Sequence, residues 1–587
     1  MSTPPATSDA PDTPDPASAH PILTIEDSKR LEAALFAADE TREWPAMQRA
    51  GRAIADAILR DYREIGDFPP DARILVLVGK GHNGGDALLA AKHILEQHPR
   101  ARADICFAFG ECALRPLAMR AWQELTHAAP QNAAQASKPA PVTYDLCLDG
   151  IFGFQFRPPL DKRTAALIAS VNAHPIRLRA AVDLPSGLGD KTTFHADFTY
   201  ATGIVKLPVL DSPHTGRLRY LDLGFFSGTG DSPVGSGGMG DSPMCLGSTL
   251  SGASESRASR PCHSVLTPAI LAPLRALRPA HTDKRDYGHL FIIGGSRDYP
   301  GAVLMSVLAA LRGGAGLVTA FVPETLVPAF AARAPEAIWR GLAETPDGAL
   351  ALENISLFRE RFAEKPKPNS ATTTGAAAST VNRKLKTVNS AGGSAANPTA
   401  LLLGPGLSRE PETLALAADI VRATPADIPL VIDADALQPD IISAGAAPRI
   451  LTPHAGEYAR IAAAIPKNKN TIIVRKAPLT RIERASAWER QSPDWPAAQT
   501  DANRQIGVPA YISPFGGPVL ARGGSGDLLA GIIGTQLAQT PQTPLLAACR
   551  GAAWHGLAAD CLARARGQHA VRVTELLDHL SEALRSE

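Results

Sequence analysis

Short, almost wholly apolar runs alternate along this chain with longer segments in which apolar residues recur every third or fourth position. In the first half, ARILVLVG, ADICFAFG, YDLCLDG and IRLRAAVDL predict buried strands, and DALLAAKHILEQH and LAMRAWQELTHAA predict helices between them. In the second half, GHLFIIGG, GLVTAFVP, ALLLGPG, PLVIDAD and APRILTPH predict further strands, again with Ala- and Leu-rich helices between. Strand–helix alternation implies α/β architecture with parallel sheets covered on both faces. Two doubly wound domains are expected, the N-terminal one Rossmann-like, with ligands bound at the carboxyl ends of strands.

Three segments break the pattern. Residues 1–19 are acidic and rich in Pro, Ser and Thr, which predicts a disordered tail. Residues 227–260, containing GDSPVGSGGMGDSPM, predict a flexible Gly/Ser linker and therefore a domain boundary. Residues 364–397 are polar and predict a disordered insertion inside the second domain. The expected domains are thus residues 20–226 and 261–587.

The 587 residues have a formal net charge of +1, which removes any global electrostatic case for a nucleic-acid or acidic-membrane partner. No apolar run reaches the length of a membrane span. The seven cysteines form no C-x-x-C pair, so zinc and thioredoxin-like readings lack support and a cytoplasmic setting is expected. A homo-oligomer is left open.

Candidate chemistry lies after the strands. RILVLVG runs into GKGHNGGDAL, whose glycines allow close backbone approach, with Asp86 expected to open the next helix. A glycine loop before a helix N-terminus favours anions. Asp149 and Asp183 end two other strands of the same sheet, so three loops are expected to converge on one crevice. GKGHNGGDAL, DGIFGFQFR and VDLPSG together resemble the signature loops of the NAD(P)H-hydrate epimerase family, over about residues 20–226. The resemblance implies that His82, Asn83, Gly84, Gly85 and Asp86, with Gly153, Phe154, Gln155, Phe156, Arg157, Pro158 and Pro159, line the substrate pocket. It implies a potassium ion held by Asn83, Asp149 and Ser186, and makes Asp183 the candidate for proton transfer. His82 replaces the family's usual Asn.

The second half carries ARGGSGDLLAGIIG, in which Gly523, Gly524 and Gly526 precede Asp527 at a predicted helix start. Such a loop can hold a transferring phosphoryl group, with the carboxylate placed to deprotonate an accepting hydroxyl. Asp433 and Asp435 are read as structural ends of a strand, and His93 and His555 as ordinary helix residues. With GGSRDYPGA, LRGGAGLVT, LLLGPGLS, IDADAL, LTPHAGEYAR and VRKAP, the loop resembles the ADP- or ATP-dependent NAD(P)H-hydrate dehydratase family, which has a ribokinase-like fold. By that resemblance Ala302, Gly406, His454 and catalytic Asp527 face the hydrated cofactor. Lys476, Ala477, Pro478, Leu479, Thr480 and Gly526 face the adenine nucleotide. Glu457 takes the place of an acidic residue that organises Mg²⁺ in related kinases. Lys-Ala-Pro stands where the family usually has Lys-Gly-Ala.

Together the resemblances imply epimerisation of the R and S hydrates of NADH and NADPH (NADHX and NADPHX), followed by nucleotide-dependent dehydration of the S hydrate. The choice between ADP and ATP stays open, with ADP the expectation. The rival reading is a small-molecule kinase, for a sugar or vitamin, with a non-catalytic N-terminal binding module.

Overall fold

A computed structural model describes residues 12–37, 39–226, 263–363, 397–468, 470–485 and 510–585. The linker at 227–260 and the insertion at 364–397, Asn397 excepted, lie outside the described residues. So do residues 1–11 of the expected tail. From Asp12 the chain is placed: Asp12 pairs with Arg484 at 2.5 Å, and Ser18 N donates to Asp15. The chain divides into two compact units, Asp15–Ala269 with Asp560–Val571, and Met1–Pro14 with Ile270–Ala559 and Arg572–Glu587.

The first of these units holds a seven-stranded sheet in the order Ala133–Gln135, Arg102–Phe107, Arg73–Val78, Tyr144–Gly150, Ile176–Val182, Phe198–Thr202, Arg217–Leu221. All neighbours are parallel. The chain winds from Arg73–Val78 to one edge, then returns to lay Tyr144–Gly150 beside the same strand and winds to the other edge. That reversal opens a crevice at the carboxyl ends of these two strands. The central strands are apolar on both faces, Ile74, Val76, Leu146 and Leu148 being fully buried, as helices on both sides require. The last two strands carry Thr and Arg, which hides them from an apolar-run criterion. Arg219 on the last strand is buried because Asp61 and Asp560 each accept from it at 3.0 Å. A separate strand, Ala19–Leu23, pairs antiparallel with His263–Leu266 and parallel with Val205–Lys206.

The helix after Arg73–Val78 begins at His82, not at Asp86, and runs to Gln97. Asn83, Gly84 and Gly85 are already helical, so Asp86 sits a full turn in and caps nothing.

In the second unit the strand order is Ile338–Leu342, Leu317–Pro323, His289–Ile293, Ala400–Leu403, Leu430–Ile432, Arg449–Leu451, Thr471–Arg475, Thr480–Arg484, Ala510–Ser513. The first seven are mutually parallel and the last two add antiparallel. The winding reverses between His289–Ile293 and Ala400–Leu403, which repeats the arrangement of the first unit. Among the described residues no helix is long and apolar enough to cross a membrane.

Candidate active sites

In the first unit two loops meet at the reversal. Gly79 N donates to Gly150 O at 3.0 Å. A Cβ on Gly79 would lie 1.8 Å from the Ile151 carbonyl oxygen, so only glycine permits the contact. Over these loops lies a cavity of about 760 Å³. Of the expected pocket residues, His82, Asn83, Asp86, Gly153, Phe154, Gln155, Phe156, Arg157, Pro159 and Asp183 line it. Gly84, Gly85 and Pro158 are not part of its wall. A Cβ on Gly84 would meet Gly79 O at 2.4 Å and one on Gly85 would meet Met47 at 2.3 Å, so both serve packing.

Asp183 has φ +66°, a left-handed backbone, and its buried side chain lines the cavity. The buried Lys206 ammonium donates to Asp183 Oδ1 at 2.5 Å. A Cβ on Gly153 would lie 3.3 Å from both Asn83 Oδ1 and Asp183 Oδ2, so those two side chains converge on one point of the wall. Asp86 is half-buried in the cavity wall. Burial, with Asp183 and Glu32 adding to it, raises its carboxyl well above the usual range.

Asp149 and Ser186 are fully buried and lie outside the cavity lining. Ser186 donates its Oγ hydroxyl to Asp149 Oδ1 at 2.6 Å and its N–H to Oδ2 at 2.7 Å. Burial pushes the Asp149 carboxyl up to about 6, and the two Ser186 bonds oppose that shift.

The second unit builds its site the same way. Gly295 N donates to Pro405 O at 2.9 Å, and a Cβ on Gly294 would meet that oxygen at 2.3 Å. Gly406, at φ +65°, brings its backbone against Ala302, whose Cβ would be 3.1 Å from a Cβ on Gly406. Asp527 is the third residue of the helix Ser525–Gln539, which starts from Gly524 at φ +92°. Ser306 Oγ donates to Asp527 O at 2.9 Å and so fixes the helix start. Lys476 lies 2.9 Å from Asp433 Oδ1 and 3.9 Å from Glu457 Oε2. A Cβ on Gly526 would stand 3.2 Å from the same ammonium, so Lys476 reaches the Gly-Asp loop. Burial pulls the Lys476 ammonium down, but Asp433 and Glu457 outweigh it and the net shift is upward. Burial is also the largest influence on Asp527. With Asp433 adding and Lys476 opposing, its carboxyl is held up to about 7.

His454 caps the short helix Ala455–Ile461, its Nδ1 accepting from Gly456 N, while Glu457 Oε2 accepts from His454 N at 2.8 Å. Ala477, Pro478 and Leu479 form the turn between Thr471–Arg475 and the strand that begins at Thr480.

Residues 45–207 match the family model for the YjeF-related protein N-terminus, and residues 290–358 and 368–582 match that for NAD(P)H-hydrate dehydratase. Over 554 residues the chain is 32% identical to the bifunctional NAD(P)H-hydrate repair enzyme Nnr of Gloeobacter violaceus, covering 91% of this chain and 92% of that one. The chain belongs to the bifunctional NAD(P)H-hydrate repair enzyme family. The family member from Moorella thermoacetica is 31% identical over 565 residues, covering 92% of each chain. The Bacillus subtilis ADP/ATP-dependent NAD(P)H-hydrate dehydratase, co-crystallised with ATP/Mg²⁺, is 23% identical and covers 53% of this chain and 93% of that one, with a TM-score of 0.37. The first family model falls within the unit that holds Asp15–Ala269 and the second mostly within the other, apart from Asp560–Val571, and each contains one set of glycine loops.

Two features of this family member escape its sequence. Asp433 does end a strand, as expected, but it is also the partner of Lys476, 43 residues further on. Lys206 and Glu32 line the first cavity without any local motif. For Lys206 the available signal is a lysine inside an otherwise apolar strand segment, GIVKLP.

Proposed function

We propose that this chain repairs hydrated NADH and NADPH through two sites, epimerising R and S hydrates in residues 20–226 and dehydrating the S hydrate in residues 261–587. Membership of the family carries this reading. The supporting observation in the structure is Asp527, a carboxyl held near neutrality beside Lys476 and the Gly524–Gly526 loop.

In the dehydratase site, Asp527 takes the proton of the C6 hydroxyl as that oxygen attacks the terminal phosphoryl group of ADP or ATP. Lys476, Gly526 and the 477–480 turn hold the nucleotide, while Ala302, Gly406 and His454 hold the hydrate. Phosphate leaves with the C6–O electron pair, the ring nitrogen's lone pair assists, and loss of the C5 proton restores the dihydropyridine. Glu457, kept in place by His454 N, offers carboxylate oxygens of the kind Mg²⁺ takes, often through water. Mg²⁺ bound there supplies charge neutralisation for the phosphates.

In the epimerase site Asp183 is the proton-transfer residue, and the lining residues of the first cavity hold the substrate. Asn83, Asp149 and Ser186 offer amide, carboxylate and hydroxyl oxygens, a donor set suited to a hard cation such as K⁺. Asp149 and Ser186 already touch, and Asn83, in the first turn of the helix His82–Gln97, packs its backbone against Gly150. We assign the enzyme to the cytoplasm, where thiols such as the free Cys106 and Cys549 stay reduced.

The test is incubation of the full chain with chemically prepared mixed hydrates, with ADP, with ATP and with neither. Nucleotide-dependent return of the reduced-nicotinamide absorbance, going to completion for both epimers, is the expected result. A stable phosphorylated product would instead show a kinase.

A further inference from the structure

Glu32 lies on the helix Ile25–Phe36, outside every loop assigned a role above, yet it lines the first cavity together with Asp183 and Lys206. The other charged groups of the cavity wall are Lys29 on its own helix, Glu43, Lys80, His82, Asp86, Arg115, Arg157, Asp161, Asp183 and Lys206. Lys206 is committed to Asp183 at 2.5 Å, and His82 faces Glu43 at 3.4 Å. Among the described residues Glu32 has no ion-pair partner of its own. A carboxyl in a cavity wall, lined by other carboxylates and with the buried Lys206 ammonium taken by Asp183, is suited to carrying a proton. Burial is the largest influence and, with Asp183 and Glu43 adding and Lys206 opposing, moves it up to about 7.

We propose that Glu32 is a second proton-transfer residue of the epimerisation site, working in tandem with Asp183. The proposal rests on the epimerase reading of this cavity. In the forward direction the neutral Glu32 carboxyl gives its proton to the C6 hydroxyl oxygen. The C6–O bond breaks, its electron pair leaves on water, and the N1 lone pair forms N1=C6. A water molecule adds to the other face of C6, the π electrons return to N1, and the surplus proton passes to Asp183. One water leaves and one enters, and one proton moves from Glu32 to Asp183. The opposite epimer follows the same path backward.

The test compares the full chain with Glu32→Gln and Glu32→Asp, following conversion of purified R hydrate to S by chromatography without nucleotide. Glu32→Gln is expected to lower kcat/KM by about 100-fold and to abolish the pH limb near neutrality, with no loss of Tm. Glu32→Asp restores both in part. If the unmodified chain does not epimerise, the reading of the cavity fails, whatever Glu32 does. If the unmodified chain is active and Glu32→Gln stays within about threefold, or is slower but keeps the same pH limb, the role of Glu32 is overturned.

Discussion

The Lys476 ammonium lies 2.9 Å from the carboxylate of Asp433, which is only 1% exposed. The pair joins the strand end at Ile432 to the turn that carries the proposed nucleotide contacts. Replacing Lys476 with Met removes the cation and leaves Asp433 buried with Thr452 as its remaining side-chain donor. A loss of about 2 kcal/mol of stability is expected, since a charged acceptor loses its strongest donor. The nucleotide KM should rise in the same variant. Denaturant melts and initial-rate kinetics check the two effects.

Asp527→Asn is expected to cost about two to four orders of magnitude in dehydration while epimerisation persists. The native rate should climb with pH around 7, as the carboxyl ionises. Stability runs the other way. A carboxyl whose folded value is raised to about 7 favours the folded state below its ordinary range, and that contribution is lost as pH rises through about 7. Asp527→Asn should therefore melt higher than the native chain at mildly alkaline pH. Equal Tm values across the pH range would remove Asp527 as a buried titrating base.

Asp183→Ala is expected to stop epimerisation and spare dehydration of pure S hydrate. The two glycine-loop sites belong to different compact units. A folded variant that fails at both reactions would show that one site, not two, performs the repair.

Asp61 is completely buried and accepts from Arg564 Nη2 at 2.7 Å and Arg219 Nε at 3.0 Å. Burial, the largest influence, raises its carboxyl, but the two guanidinium groups outweigh it and hold it down to about 2. Its stabilising contribution is present above the ordinary carboxylate range and is lost as pH falls through about 2. Asp61→Asn should destabilise the chain by about 3 kcal/mol at neutral pH, because two buried cations lose a counter-charge. Urea melts at pH 7 and in acid should show that gap closing as pH falls.

Deleting residues 366–396 is expected to leave both activities largely unchanged. The segment is polar and lies outside the described residues, between the helix Ile355–Ala363 and the strand Ala400–Leu403. A large rise in nucleotide KM at constant Tm would show that these residues act at the site.

Much of the scaffold was legible because its signals are local. An apolar run such as Ile74–Val78 can only be a buried strand in this setting, and glycine loops such as 79–85 announce close backbone contacts. What escaped depends on distant partners. Arg217–Leu221 looks too charged for a strand until Asp61 and Asp560 are placed against it. Asp433 reads as the mere end of a strand until the next parallel strand but one delivers Lys476. Glu32 sits in an ordinary amphipathic helix, and only the cavity wall sets it apart. Asp86 differs from its expected place for a local reason: Gly84 and Gly85 look like loop residues, yet they lie in the helix, packed closely against Gly79 and Met47.

In each unit one backbone hydrogen bond, Gly79 to Gly150 and Gly295 to Pro405, stitches together loops that are far apart in the chain. No side chain takes part, so no compensating side-chain change elsewhere can repair the loss of a glycine there. Descendants of this chain that turn to new substrates are therefore expected to vary at rim positions such as His82 and Arg157. The glycine stitches will persist in them as a lineage mark, readable even after both chemistries have changed.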